Sequence, residues 1–246
     1  NSGLHNATHD LVFARTSGEE GKPKGISCFI VPVEAEGFSV DFMWWTLNMP
    51  SDHAEVTLSD VRVPADAMLG AEGDGLALAN TFTHENRIRQ AASGVGAAQY
   101  CINESVKYAN KRITFGQPLS TRQAIQWPLA ELQTECEMVQ NMVYKTAHEL
   151  DSTHHMEISD KVAMCNYRAN RLVCNAADQA IQVHGGVGYT STGTTGATAS
   201  RRARRRSRSG GSRRSFSGTD DLADSSWKEL QHVGDCSDTI DLMTRR

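Results

Sequence analysis

Three long runs of helical periodicity constrain this chain more than any other feature. From Leu76 to Lys111 apolar residues recur at helical spacing, among them Ile88, Ala92, Val95, Ala98 and Ile102. At the usual helical rise this run extends roughly 50 Å. The second, Thr121 to Leu150, sets Ile125, Leu129, Leu132, Cys136, Val139 and Val143 on one stripe, and Pro128 is expected to bend or restart it. The third, Glu157 to His184, aligns Val162, Cys165, Ala169, Leu172, Ala176 and Val183 and stops at Gly185-Gly186, a pair suited to a helix C-terminus. Three amphipathic helices of this length leave apolar surface uncovered unless a fourth element packs on them.

Residues 11–63 carry a different pattern. Leu11 to Ala14 is a short apolar run, Gly21-Lys22-Pro23-Lys24-Gly25 is a turn, Ile26 to Val33 reads as a buried strand, and Ala54 to Leu58 alternates. Pro64, Gly70 and Gly73-Asp74-Gly75 read as a hinge, because the glycines follow neither phosphate-loop nor dinucleotide-loop spacing. The expected fold class is α+β: a partial β-barrel or sandwich segment over 1–68, an incomplete up-down helical bundle over 69–190, and a disordered tail over 191–246.

With 246 residues and 39% hydrophobic side chains, the chain has material for a real core. It contains no run of about 18 apolar residues that would read as a membrane helix. Its six cysteines, Cys28, Cys101, Cys136, Cys165, Cys174 and Cys236, form no Cys-x-x-Cys pair and read as small buried hydrophobes, not as metal ligands or disulfides. His154-His155 likewise lack metal-ligand spacing. The net charge of −4 conceals a break: from Ser191 onward eleven Lys+Arg stand against seven Asp+Glu, whereas the first 190 residues carry 14 against 22.

Between the first two helical runs lies Lys111-Arg112-Ile113-Thr114-Phe115-Gly116-Gln117-Pro118-Leu119, with Gln123 opening the second. A Gly-Pro turn after a cationic helix end would present the Arg112 guanidinium, the Thr114 hydroxyl and nearby backbone N–H groups on one side, a donor set suited to a pyrophosphate. A plain helix–helix loop with an arginine in the last turn is the other reading, and the motif alone leaves both open.

The wider pattern resembles the acyl-CoA dehydrogenase family. Phe29-Ile30-Val31-Pro32, Glu36-Gly37-Phe38, and His53-Ala54-Glu55-Val56 leading to Asp60-Val61-Arg62-Val63-Pro64 are similar to the second half of that family's middle β domain. Arg112-x-Thr114-Phe115-Gly116 and Gln182-Val183-His184-Gly185-Gly186 stand at the family's separation. The resemblance implies FAD as cofactor, with Arg112, Thr114, Gln123, Gln182 and Gly186 toward its adenosine and pyrophosphate and Phe115 as an apolar wall. It implies that Arg87 binds an acyl-CoA substrate. It also implies a homodimer or homotetramer, and an electron-transferring flavoprotein or oxygen as acceptor. By the same resemblance the compartment would be a mitochondrial or peroxisomal matrix in a eukaryote and the cytoplasm in a bacterium.

The catalytic base is the departure. Some relatives place a glutamate directly before the substrate arginine; Asn86 stands there, and Glu85 lies about 100° around the helix, so no catalytic residue is assigned. Most relatives carry the base in a Glu-Gly-Thr-x-x-Ile segment before a fourth bundle helix, and both are absent from this reading frame. In their place stands an Arg/Ser tract, Arg201-Arg202-Ala203-Arg204-Arg205-Arg206-Ser207-Arg208. Synonymous codons exist for 191–210 that, read one nucleotide out of frame, spell Tyr-Arg-His-His-Arg-Arg-Tyr-Arg-Ile-Thr-Glu-Gly-Thr-Glu-Glu-Ile-Gln-Ile-Arg. The glutamate codon then straddles Arg201 and Arg202. The expectation is a family member out of frame after about residue 190, incompetent for turnover as written. The competing class is an interaction protein whose basic Arg/Ser tail binds nucleic acid.

Overall fold

The computed structural model describes residues 1–45 and 53–190. The tail and its expected disorder lie outside the described residues. Two compact units are present, Asn1–Thr83 and a second that begins at His84.

The first unit is built from short antiparallel strands. β1 (His9–Arg15) pairs with β2 (Ile26–Pro32) in a regular register from His9 opposite Pro32 to Arg15 opposite Ile26. β2 in turn pairs with the two-residue β5 (Met68–Leu69), giving the order β1-β2-β5. β3 (Phe38–Trp44) and β4 (His53–Leu58) form a separate two-stranded ribbon, with an irregularity between Val40 and Phe42. The sequence reading missed β3, although Phe38, Val40 and Phe42 alternate with Ser39 and Asp41. No closed barrel forms among the described residues, in keeping with a partial β segment.

The glycines at 73 and 75 are more than a flexible hinge. Gly73 N–H donates to Ser27 Oγ at 2.9 Å, and Asp74 forms a parallel bridge with Ile26. A Cβ at Gly75 would stand 2.7 Å from the Ser27 carbonyl carbon, so only glycine lets the start of the first helix sit this close to β2.

That helix, α1 (Gly75–Lys111), is continuous over the expected run. A tight hairpin, β6 (Ile113–Thr114) and β7 (Gln117–Pro118), leads into α2 (Gln123–Leu150), and α3 (Ser159–His184) follows a short loop. Pro128 neither ends nor restarts α2; it lies in the second turn, where it removes one backbone donor from a helix whose apolar stripe anchors the rest. The second unit's core is the meeting of the three predicted stripes: Val95, Ala98 and Ile102 of α1, Leu132, Cys136, Val139 and Val143 of α2, and Cys165, Ala169, Leu172 and Ala176 of α3. At Gly94 a Cβ would lie 3.4 Å from Ala169 Cβ, so small residues set the α1–α3 approach. Cys28, Cys101, Cys136 and Cys165 are buried thiols, in keeping with small apolar fillers.

One polar pair crosses this core. Gln99 Nε2 donates to Gln133 Oε1 at 2.7 Å and Gln133 Nε2 returns the bond to Gln99 Oε1 at 3.2 Å, both side chains buried. Gln99 also donates to Asn103 Oδ1, and Gln133 to Glu137 Oε1.

Candidate functional site

The Arg112 segment turns differently from the expected Gly-Pro turn. Phe115 and Gly116, at φ 52° and 77°, are the two central residues of a hairpin whose flanking pairs are Thr114 with Gln117 and Ile113 with Pro118. Positive φ at both positions is the primed hairpin turn, which glycine accepts and phenylalanine resists. The strain places the Phe115 ring at the tip, 95% exposed, with the Arg122 guanidinium 6.0 Å from its centroid. Arg112 closes the base of the hairpin through its backbone: its N–H donates to Tyr108 O at 2.9 Å and its carbonyl accepts from Leu119 N–H at 2.7 Å. Its guanidinium is thereby carried on a fixed backbone at the exposed end of α1.

The charge along this stretch of the chain has one sign. No Asp or Glu occurs between Glu104 and Glu131, while Lys111, Arg112 and Arg122 all lie in that interval, with Gln123 following in the first turn of α2. A pyrophosphate suits such a surface: guanidinium and hydroxyl donors without a competing carboxylate.

The second group sits at the end of α3. Gly185, at φ 58°, caps α3 by donating to Gln182 O at 3.1 Å, and α4 (Gly186–Tyr189) folds back against the last turn. Gln182 and Gly186 are exposed there. Nothing lies within 4 Å of a Cβ at Gly186, whereas one at Gly188 would meet Ile181 O at 2.6 Å. A ligand can approach the backbone at Gly186; Gly188 serves the fold.

A contact that the sequence reading did not single out joins the two groups. The Tyr108 and His184 rings stack with centroids 4.4 Å apart and planes 29° from parallel. Tyr108 lies one helical turn before Arg112 and His184 two residues before Gly186, so the last turns of α1 and α3 are held side by side. Arg112, Thr114, Phe115, Gln123, Gln182 and Gly186 therefore share one end of the second unit.

Arg87 lies elsewhere on α1. Its side chain is exposed and its carbonyl accepts from Asn166 Nδ2 of α3 at 3.2 Å. One turn earlier His84 is only 6% exposed, and its ring lies 5.3 Å from that of His155, which in turn neighbours His154 at 4.4 Å. The His84 Nδ1 has no hydrogen-bond partner among the described residues. Burial, then His155 and Arg87, hold the His84 imidazole below its ordinary value of 6.5. Asn86 Oδ1 accepts from Arg89 at 2.9 Å, and Glu85 is exposed. Among the described residues no cluster of His, Cys, Asp or Glu has metal-binding geometry.

The model of the acyl-CoA dehydrogenase C-terminal domain matches residues 73–215. The chain belongs to the acyl-CoA dehydrogenase family. Acyl-CoA dehydrogenase FadE12 of Mycobacterium tuberculosis is 34% identical over 191 residues, covering 77% of this chain and 49% of that protein. The NADH-dependent acryloyl-CoA reductase of Anaerotignum propionicum is 34% identical over 180 residues, covering 73% and 45%. Among solved structures, butyryl-CoA dehydrogenase from Megasphaera elsdenii superposes with a TM-score of 0.75 at 29% identity, covering 83% of this chain and 52% of its own. The chain spans about half the length of the curated relatives it matches. Family membership makes FAD the cofactor to test against these residues, and their donor set fits it: two arginines and Thr114 for phosphate, carboxamides at Gln123 and Gln182 for hydroxyls or ring nitrogens, and an exposed aromatic at Phe115.

Proposed function

We propose that the parent protein carries out FAD-dependent α,β-dehydrogenation of an acyl-CoA thioester, giving a 2,3-enoyl-CoA. The observation that carries this reading is the strained hairpin that holds Phe115 at an exposed tip, in a stretch with Lys111, Arg112 and Arg122 and no Asp or Glu, on the same end of the helices as Gln182 and Gly186. FAD, when bound, would supply a hydride acceptor for the substrate β-carbon, and the α-proton would go to a carboxylate base. Arg112 and Thr114 would hold the pyrophosphate, Gln123, Gln182 and the Gly186 backbone the adenosine half, and Phe115 would serve as an apolar wall. Arg87 binds the phosphate-bearing half of the acyl-CoA. The rings and hydroxyls of FAD are too large for one end of one helical unit to enclose, which supports a homodimer or homotetramer with the cofactor shared between copies. An electron-transferring flavoprotein is the acceptor most in keeping with the family.

At the position that some relatives give to the base, Asn86 is engaged with Arg89 and offers no basic group, and no other described residue is assigned that role. The glutamate belongs, in this reading, to the frame that restores Glu-Gly-Thr across Arg201 and Arg202, and the polypeptide as written binds FAD without turning over. Titrating FAD into the protein and into Arg112→Gln tests the binding half: the variant weakens binding several-fold or more, and equal affinities overturn the assignment. Sequencing the transcript across the codons for 188–212 tests the other half; an intact frame with no alternative transcript removes the coding explanation.

A further inference from the structure

We infer that Tyr108 and His184 are positioning residues: their ring stack is the joint that sets Arg112 and Thr114 in register with Gln182 and Gly186. The stack is held on both sides. His184 is 8% exposed, and its Nδ1 lies 2.8 Å from Ala180 O. A carbonyl can only accept, so Nδ1 carries the hydrogen, and this bond fixes the ring plane along the α3 axis. The His184 ring is then a rigid face against which the Tyr108 ring lies.

Each ring is coupled to one half of the site through the backbone. Tyr108 O accepts from Arg112 N–H at 2.9 Å, and Arg112 O accepts from Leu119 N–H, so the orientation of Tyr108 is passed to the hairpin base in two bonds. On the other side His184 immediately precedes Gly185, and a Cβ at Gly188 would lie 3.1 Å from His184 Cβ, so α4 is folded directly over this residue. The contacts of Arg122 with the Phe115 ring and of Thr121 with Gln117 and Pro118 lie within the hairpin segment itself. The core below ends at Val106, Ala109 and Val183, which fix the helices but not the direction of the segments beyond them.

The role differs from that of a cofactor ligand. The effect of the two rings is to remove the freedom of two segments that bind one extended ligand. An aromatic pair of this kind contributes an amount that corresponds to roughly two- to tenfold in a binding constant when only one bound geometry is productive.

The ligand part of this inference rests on the flavin reading above, and the experiment separates the two. Tyr108→Leu keeps an apolar side chain and removes the ring face; Tyr108→Phe keeps the face. Amide exchange in the full chain without ligand is expected to accelerate at Leu119 and Gly188 in Tyr108→Leu, with the amides of the α2 and α3 core unchanged, and to match the unmodified protein in Tyr108→Phe. FAD titration is expected to show roughly two- to tenfold weaker binding for Tyr108→Leu and rescue by Tyr108→Phe. Unchanged exchange at both Leu119 and Gly188 overturns the joint. Faster exchange in a protein that does not bind FAD in any form supports the joint and removes the flavin reading instead. If Tyr108→Leu does not fold, His184→Leu read by the same two measurements gives the decision.

Discussion

Replacing Gln99 by leucine should cost far more than replacing Gln99 and Gln133 together would suggest. The two carboxamides exchange hydrogen bonds at 2.7 and 3.2 Å inside the α1–α2 interface, and both are buried. Gln99→Leu removes both bonds at once and leaves Gln133 facing an isobutyl group, with its bond to Glu137 retained. Each bond contributes about 1 kcal/mol net, and stranding a buried amide group adds about 1 kcal/mol or more, so the single variant loses about 3 kcal/mol or more. Gln133→Leu strands Gln99 in the same way and costs a similar amount, partly offset by the bond to Asn103. In the double variant no carboxamide remains to be stranded and two leucines fill the space, so the loss falls to about 1 kcal/mol. Urea unfolding of the four proteins completes the cycle. A coupling energy above about 1.5 kcal/mol is expected; a double variant that costs the sum of the singles would refute the pairing.

Three further outcomes follow from burial and close contacts in the two units. His84 has a depressed imidazole value in the fold, so the unfolded chain binds a proton first; its contribution is fully present above 6.5 and is lost as pH falls below it. Unfolding midpoints should therefore drop on acidification through that region, and His84→Phe should flatten the slope. Leu172→Ala, which empties a fully buried position between the three helices, should cost about 2–5 kcal/mol by the same unfolding assay. Gly188→Ala should lower the thermal midpoint because its Cβ meets the Ile181 carbonyl at 2.6 Å, a cost of about 1–3 kcal/mol, while Gly186→Ala, with open space around the new methyl, leaves the midpoint unchanged.

The helices were legible because their stripes are long: α1, α2 and α3 begin and end within two residues of the periodic runs at Leu76, Thr121 and Glu157. β3 was missed although Phe38, Val40 and Phe42 alternate with Ser39 and Asp41, the period of a half-buried strand, before the irregularity between Val40 and Phe42 and the apolar run Met43-Trp44. Of the site, the residue set could be read from the Arg-x-Thr-Phe-Gly and Gln-Val-His-Gly-Gly strings, but its geometry could not. A glycine followed two residues later by proline suggested a turn at Gly116, yet the strand pairing of Gln117 and Pro118 moves the turn back to Phe115, against the preference of an aromatic side chain. The Tyr108–His184 stack and the His84–His155 contact join residues 76 and 71 positions apart in the chain; no local pattern encodes such pairs, and they emerge only when the three stripes close on one another.

The central claim is a helical unit with a surviving flavin surface separated from its catalytic carboxylate, and flavin reduction tests it most directly. The protein is loaded with FAD, mixed anaerobically with a short- and a long-chain acyl-CoA, and the visible flavin band is followed beside the product of the restored reading frame. The account predicts that the polypeptide as written binds FAD and keeps its band while the restored product bleaches. Bleaching by the polypeptide as written would contradict it.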